Sequence, residues 1–319
     1  MISKILILFL IFHVAFSYGN LLSDCITPPL ECPNKNITFW LYTRANPNNP
    51  HQLVIKEPTT LKSAPWVEGA PIKLLIHGYT ASKDITPNTE LRPAYMKRAD
   101  YNLISLDYSP LAQAPCYIQA AQNAELVGKC TAQLVDELVM NYGFQLSSFH
   151  VIGFSLGGQI TGFVANYLKS GTFDRITALD PALPLFVTTD NKKKIDSGDA
   201  KFVDVLHTNV LERGKLEASG HVDFYANGGS QQPGCPTGNE STSSCDHARA
   251  PFYFAESITT DRGFYANRCI SWIVYILNLC GLTNRNEDAI LFGEYVSKNA
   301  SGLYFFKTNA RPPYSQGLN

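Results

Sequence analysis

The segment Gly153-Phe154-Ser155-Leu156-Gly157-Gly158 constrains this chain more than any other. It follows the apolar run His150-Val151-Ile152 and opens a helical pattern, so it reads as a sharp strand-to-helix turn with a serine at its apex. A serine on such a turn has strained backbone angles, and the residues two positions away must be small, as Gly153 and Gly157 are. The free amides that open the following helix then face any anion that develops beside the serine. A bare match to this pattern is common. In a strand, turn and helix setting it points to a serine nucleophile rather than to a structural glycine turn.

The surrounding chain predicts the sheet that such a turn needs. Apolar runs bounded by turn residues recur at Ile72–Ile76, Asn102–Leu106, Phe149–Gly153, Arg175–Leu179 and Phe202–Leu206. Continuous apolar character, rather than alternation, is expected of strands buried on both faces of a parallel sheet. Ala120, Ala124, Val127, Thr131, Leu134 and Leu138 recur at intervals of three and four, which predicts one buried helix face. A second helix is predicted from Leu156 to about Leu168. Alternating strands and helices give an α/β class with a mostly parallel, doubly wound sheet, whose ligand sites lie at the carboxyl ends of the strands.

Serine needs a base, and the base needs an acid to orient it. Asp180 ends the run Arg175–Leu179 and precedes Pro181, which places it at the carboxyl edge. Its rival Asp204 lies within a strand, where a fold-stabilising hydrogen bond is the expected role. Of the later histidines, His207 and His221 adjoin strands and read as structural groups. His247 sits in a Cys-Asp-His loop beside an expected disulfide and is the candidate base. Two oxyanion donors are expected: the Leu156 amide, and the Tyr79 amide in the bend of Leu74-Leu75-Ile76-His77-Gly78-Tyr79.

Composition narrows the setting. The 319 residues carry a formal net charge of −1, which gives no electrostatic case for nucleic acid. Lys192-Lys193-Lys194 reads as a solvated face. Residues 1–19 read as a signal peptide, with Lys4, the apolar run from Ile5 to Val14, and cleavage near Ser17 to Gly19. Residues 20–319 then form a single exported domain. The eight cysteines fall into local pairs, Cys25/Cys32, Cys116/Cys130, Cys235/Cys245 and Cys269/Cys280, and local disulfides are the simplest connectivity. Asn36, Asn239 and Asn299 head glycosylation sequons. The apolar stretch Trp272–Leu279 reads as buried core, with contact to a lipid interface as the alternative.

These motifs, together with Leu179-Asp180-Pro181-Ala182, Phe202–Thr208, His221–Gly229 and Cys245-Asp246-His247-Ala248-Arg249, resemble the pancreatic lipase family, especially its arthropod members and the wasp-venom phospholipases A1. The resemblance runs in order along the chain after the signal segment. It implies the α/β-hydrolase fold, a triad of Ser155, Asp180 and His247, and an oxyanion hole at Tyr79 and Leu156. Phe154 departs from the family's usual His, and Gly158-Gln159 from its frequent Ala-His, which leaves substrate preference open. No cofactor is implied, although some members bind calcium at positions matching Asp196 and Asp199, with Asn191 where an earlier Glu stands. The chain ends where the family's catalytic domain does, so no C-terminal β-sandwich and no colipase partner are expected. The family's lid corresponds to Cys235–Cys245, which holds no large apolar residue. A short polar cover favours a phospholipase A1 acting at membrane, micelle or lipoprotein surfaces. A digestive triacylglycerol lipase and a silent yolk-protein-like binder are the alternatives.

Overall fold

In the computed structural model, residues 25–238, 240–280 and 289–318 are described; the expected signal peptide and the Asn239 sequon lie outside them. Seven parallel strands form the centre of the sheet: β3 (Ile72–Ile76), β4 (Asn102–Asp107), β5 (Phe149–Phe154), β6 (Arg175–Leu179), β7 (Val203–His207), β8 (Val222–Ala226) and β11 (Gly302–Phe306). Antiparallel strands finish both edges. β1 (Thr38–Tyr42) and β2 (His51–Leu53) extend it beyond β4, and β9 (Phe264–Arg268) and β10 (Ile290–Phe292) extend it beyond β11. The full order among the described residues is β10-β9-β11-β8-β7-β6-β5-β3-β4-β1-β2.

Helices cover both faces, as the continuous apolar runs require. After the short α1 (Pro58–Lys62) come α2 (Asn88–Arg98), α3 (Tyr117–Tyr142), α4 (Leu156–Tyr167), α5 (Glu240–Thr259) and α6 (Trp272–Ile276). Leu74, Ile76, Val151 and Ala178 project from one sheet face into a core with Leu134 of α3 and Ile160 of α4. Leu75, Ile152 and Leu179 project from the other, against Tyr95 of α2 and Tyr253 and Phe254 of α5. All six positions of the predicted stripe from Ala120 to Leu138 are buried in α3.

Two of the expected disulfides are corrected. Cys25 bonds Cys116 and Cys32 bonds Cys130, while Cys235–Cys245 and Cys269–Cys280 are local as expected. Cys116 caps α3 and Cys130 lies inside it. Fourteen residues of helix separate two cysteines by about 21 Å, far beyond the roughly 6 Å that a disulfide spans. Each therefore takes a partner from the N-terminal segment. All eight cysteines are paired.

A buried polar row, not foreseen from the sequence, crosses the amino-terminal ends of the parallel strands. Lys73 Nζ donates to Glu294 Oε1 (2.6 Å) and to His150 Nδ1 (3.1 Å), and His150 Nε2 then donates to Thr177 Oγ1 (2.8 Å). Thr177 donates to Asp204 (2.9 Å), which Arg175 also grips through Nε and Nη2 at 2.8 and 2.9 Å. Burial, reinforced by the Arg175 and Lys73 charges, holds His150 well below its ordinary pKa. Asp204 thus has the structural role expected of it, at the edge opposite the strained serine.

Candidate active site

Ser155 joins β5 to α4 with φ 57° and ψ −121°, a conformation that costs a non-glycine residue about 1–3 kcal/mol. Its backbone is fixed on both sides: its N–H donates to Leu179 O (3.0 Å), and its carbonyl accepts from Gly158 N (2.9 Å) and Ala182 N (3.0 Å). The flanking glycines are sterically required. A Cβ on Gly157 would stand 2.3 Å from Ile76 O, and one on Gly153 would stand 2.2 Å from Gly157 O. Ser155 itself is only half-buried, so its hydroxyl is reachable.

Asp180 follows β6 and is fully buried. Its Oδ1 accepts from the amides of Thr208 (2.8 Å) and Asn209 (3.2 Å), and its Oδ2 faces His247 Nδ1 at 2.5 Å. With Nδ1 turned to a carboxylate, His247 carries its proton there and leaves Nε2 to accept another. The expectation of a loop around His247 is corrected: the residue sits on α5, which packs onto the sheet beside β6. A helix fixes the ring better than a loop, and Phe154 supports it at a centroid distance of 4.7 Å. The Cys235–Cys245 bridge ties the segment before α5 to its second turn, so half of the expected lid loop is helical.

His77 is the residue the sequence reading undervalued. Its Nε2 accepts from Tyr108 N (3.2 Å), so its Nδ1 donates to Gly78 O (2.8 Å), and Tyr108 stacks on the ring at 4.1 Å. The Gly78 carbonyl and the Tyr79 N–H share one peptide plane and point in opposite directions. Holding the carbonyl therefore aims the Tyr79 amide. Gly78 abuts the serine, because a Cβ there would lie 2.9 Å from Ser155 Cβ and 3.4 Å from its Oγ. The Leu156 amide, first in α4, has no partner within its own helix. Both expected oxyanion donors thus flank the serine. Tyr117 packs edge-on to Tyr79 at 5.1 Å, and burial pushes its phenol up to about 12, so this wall is neutral.

The two other candidate histidines are held by hydrogen bonds within the fold. His207 places Nδ1 on Lys215 O (2.8 Å) and Nε2 on Asp223 (2.9 Å), and His221 Nδ1 accepts from Val203 N (3.0 Å). Asp196 and Asp199 form a reciprocal capping box, accepting from Gly198 N (2.7 Å) and Asp196 N (2.8 Å) respectively. Burial pushes the Asp199 carboxyl up to about 7 despite the Asp196 amide, and the Asp196 charge adds to the rise. Calcium takes six or more oxygen ligands. No group of three or more His, Cys, Asp or Glu that could hold a metal ion exists among the described residues, and both carboxylates of this pair accept from backbone amides.

A serine on a strained strand-to-helix turn, an aspartate after the next strand and a histidine bonded to it, at the carboxyl edge of a doubly wound sheet, define an α/β-hydrolase. The sequence matches the Lipase family over residues 17–314, and the chain belongs to that family. It is 32% identical to pancreatic triacylglycerol lipase of Equus caballus over 299 residues, 86% of this chain and 64% of that protein. It is equally 32% identical to the inactive pancreatic lipase-related protein 1 of Homo sapiens over 262 residues, 76% of this chain and 56% of that protein. The chain spans less than two thirds of the length of these relatives. An esterase of Pyrococcus furiosus overlaps 46% of this chain and 65% of its own at 18% identity and a TM-score of 0.34, which adds nothing to what the sheet order gives.

Proposed function

We propose that this chain is an exported lipid carboxyl-ester hydrolase working through Ser155, His247 and Asp180. The observation that carries the reading is the 2.5 Å contact between His247 Nδ1 and Asp180, set behind a serine that the fold holds at a positive φ. Ser155 Oγ attacks the acyl carbonyl while His247 Nε2 takes its proton. The Tyr79 and Leu156 amides donate to the oxyanion, and collapse passes the proton to the departing alcohol. Water repeats the sequence on the acyl-serine and releases the acid. Neither a metal nor a cofactor enters. The four disulfides and the sequons at Asn36 and at exposed Asn299 support an oxidising, exported setting for a single domain over residues 20–319.

The finer reading is a phospholipase A1, cleaving the sn-1 ester of glycerophospholipids. It is supported by the stretch between Cys235 and Cys245, which has no large apolar residue to close over the site. The triacylglycerol lipases among the relatives support a second reading, a neutral-lipid lipase. Purified protein assayed on phosphatidylcholine, triacylglycerol and a dissolved short-chain ester separates them. Release of the sn-1 chain before the sn-2 chain supports the first reading, and turnover of triacylglycerol alone supports the second. A fluorophosphonate probe that leaves Ser155 unlabelled would remove the hydrolase reading altogether.

A further inference from the structure

Strands β7 and β8 pair as far as His207 and Tyr225, and the next residues on each, Thr208 and Ala226, are bridged by a side chain from outside the sheet. Gln232 Nε2 donates to Thr208 O and to Ala226 O, both at 2.9 Å. Its Oε1 accepts from Asn227 Nδ2 (2.8 Å) and from the hydroxyl of Tyr253 on α5 (3.2 Å). Every donor and acceptor site of this carboxamide is used, in a residue only 4% exposed. The backbone of Gln232 is engaged as well, its N–H donating to Oδ1 of buried Asp246 at 2.7 Å.

These contacts converge on the groups that hold the acid and the base. The Thr208 carbonyl and the Asn209 N–H share one peptide plane and point in opposite directions. Gln232 grips the carbonyl, and the N–H donates to Asp180 Oδ1 at 3.2 Å. Thr208 itself donates its N–H to the same oxygen (2.8 Å) and its hydroxyl to His247 O (3.3 Å). Asp246 directly precedes His247 on α5. Thr208 lies beyond the last ladder pair, so strand pairing does not fix the direction of its peptide. A buried network with every bond made admits one arrangement, whereas an apolar side chain of the same bulk would fill the space and leave that peptide free to turn.

We infer that Gln232 is a positioning residue of the triad, an inference that rests on the hydrolase reading of the site. Its side chain aims the Asn209 amide at Asp180, and its backbone, through Asp246, holds the turn of α5 that carries His247. One residue thereby sets where the carboxylate and the imidazole stand relative to each other. Gln232 touches neither substrate nor the reacting atoms.

Gln232→Met in the full chain keeps the bulk of the side chain and removes its four hydrogen bonds. On a dissolved short-chain ester, kcat should fall about tenfold to a hundredfold with KM unchanged, as misplacement remote from the reacting atoms does. The strongly downfield proton resonance of a His247 Nδ1–H held to Asp180 should weaken or move upfield in the same variant. His221→Ala is the stability control: it should lower the melting temperature and leave both readouts as in the unmodified chain. The backbone arm is read separately. Asp246→Ala should lower kcat, and Asp246→Asn, whose Oδ1 still accepts from Gln232 N, should restore it; this pair carries the test if Gln232→Met does not fold. Parental kcat or an unmoved resonance in folded Gln232→Met overturns the proposal. So does an equal loss of kcat in His221→Ala, or a loss in Asp246→Ala that Asp246→Asn does not recover. If the unmodified chain hydrolyses no ester, the hydrolase reading fails on its own, and the resonance still decides whether Gln232 sets the contact between Asp180 and His247.

Discussion

Gly214 lies directly against the carboxylate of Asp180: a Cβ at Gly214 would stand 2.4 Å from Oδ1 and 2.6 Å from Oδ2. Nothing in that space can give way, because the carboxylate is pinned by two amides and by His247. Gly214→Ala is therefore expected to push the aspartate off the histidine and lower kcat at least about 100-fold, as losing the acid's orientation does in a triad. Steady-state kinetics on a dissolved ester check this, with circular dichroism confirming the fold.

Removing Ser155 or His247 should each cost at least about 10³-fold in kcat, because members of a triad act as a unit. His221→Ala should instead lower the melting temperature, since that ring accepts the Val203 amide and touches no reacting group. An essential His221 with a dispensable His247 would reverse the assignment of the base.

His77→Ala frees the Gly78 carbonyl and lets the Tyr79 amide swing away. We expect kcat to fall about tenfold to a hundredfold with KM little changed, somewhat less than deletion of an oxyanion donor. His77→Asn, whose Nδ2 can donate from near the Nδ1 position, should recover part of the loss. A merely structural histidine would show no such recovery.

Asp204→Ala leaves Arg175 buried beside an empty place, and breaking a buried pair in this way costs about 3–5 kcal/mol. Urea unfolding should show that loss. The kcat per folded molecule should stay near that of the parent, which separates this aspartate from Asp180.

Asp199 makes stability depend on pH. Its folded carboxyl sits at about 7 against 3.8 when unfolded, so between these values the folded state binds more protons than the unfolded one. The stabilisation is full below pH 3.8, falls as pH rises, and is lost above 7. The shift corresponds to about 4 kcal/mol at most. Asp199→Asn should flatten this part of a plot of melting temperature against pH.

The sequence determined the parts of this protein that rest on local pattern. Five parallel strands were legible because strands buried on both faces are apolar throughout, and Ser155 was legible because its turn admits only glycine at Gly153 and Gly157. Asp180 followed from its place after a strand. Relations between distant segments were decided only by the tertiary structure. Cys116 and Cys130 look like neighbours in sequence, yet α3 holds them apart and gives them to Cys25 and Cys32 respectively. His247 proved to be held by a helix, Gly214 to be the floor of Asp180, and Trp272–Leu279, expected to be buried core, to be only half-buried on one face and exposed on the other. Periodicity reports which face of an element is apolar, but what that face meets depends on packing between elements far apart in the chain.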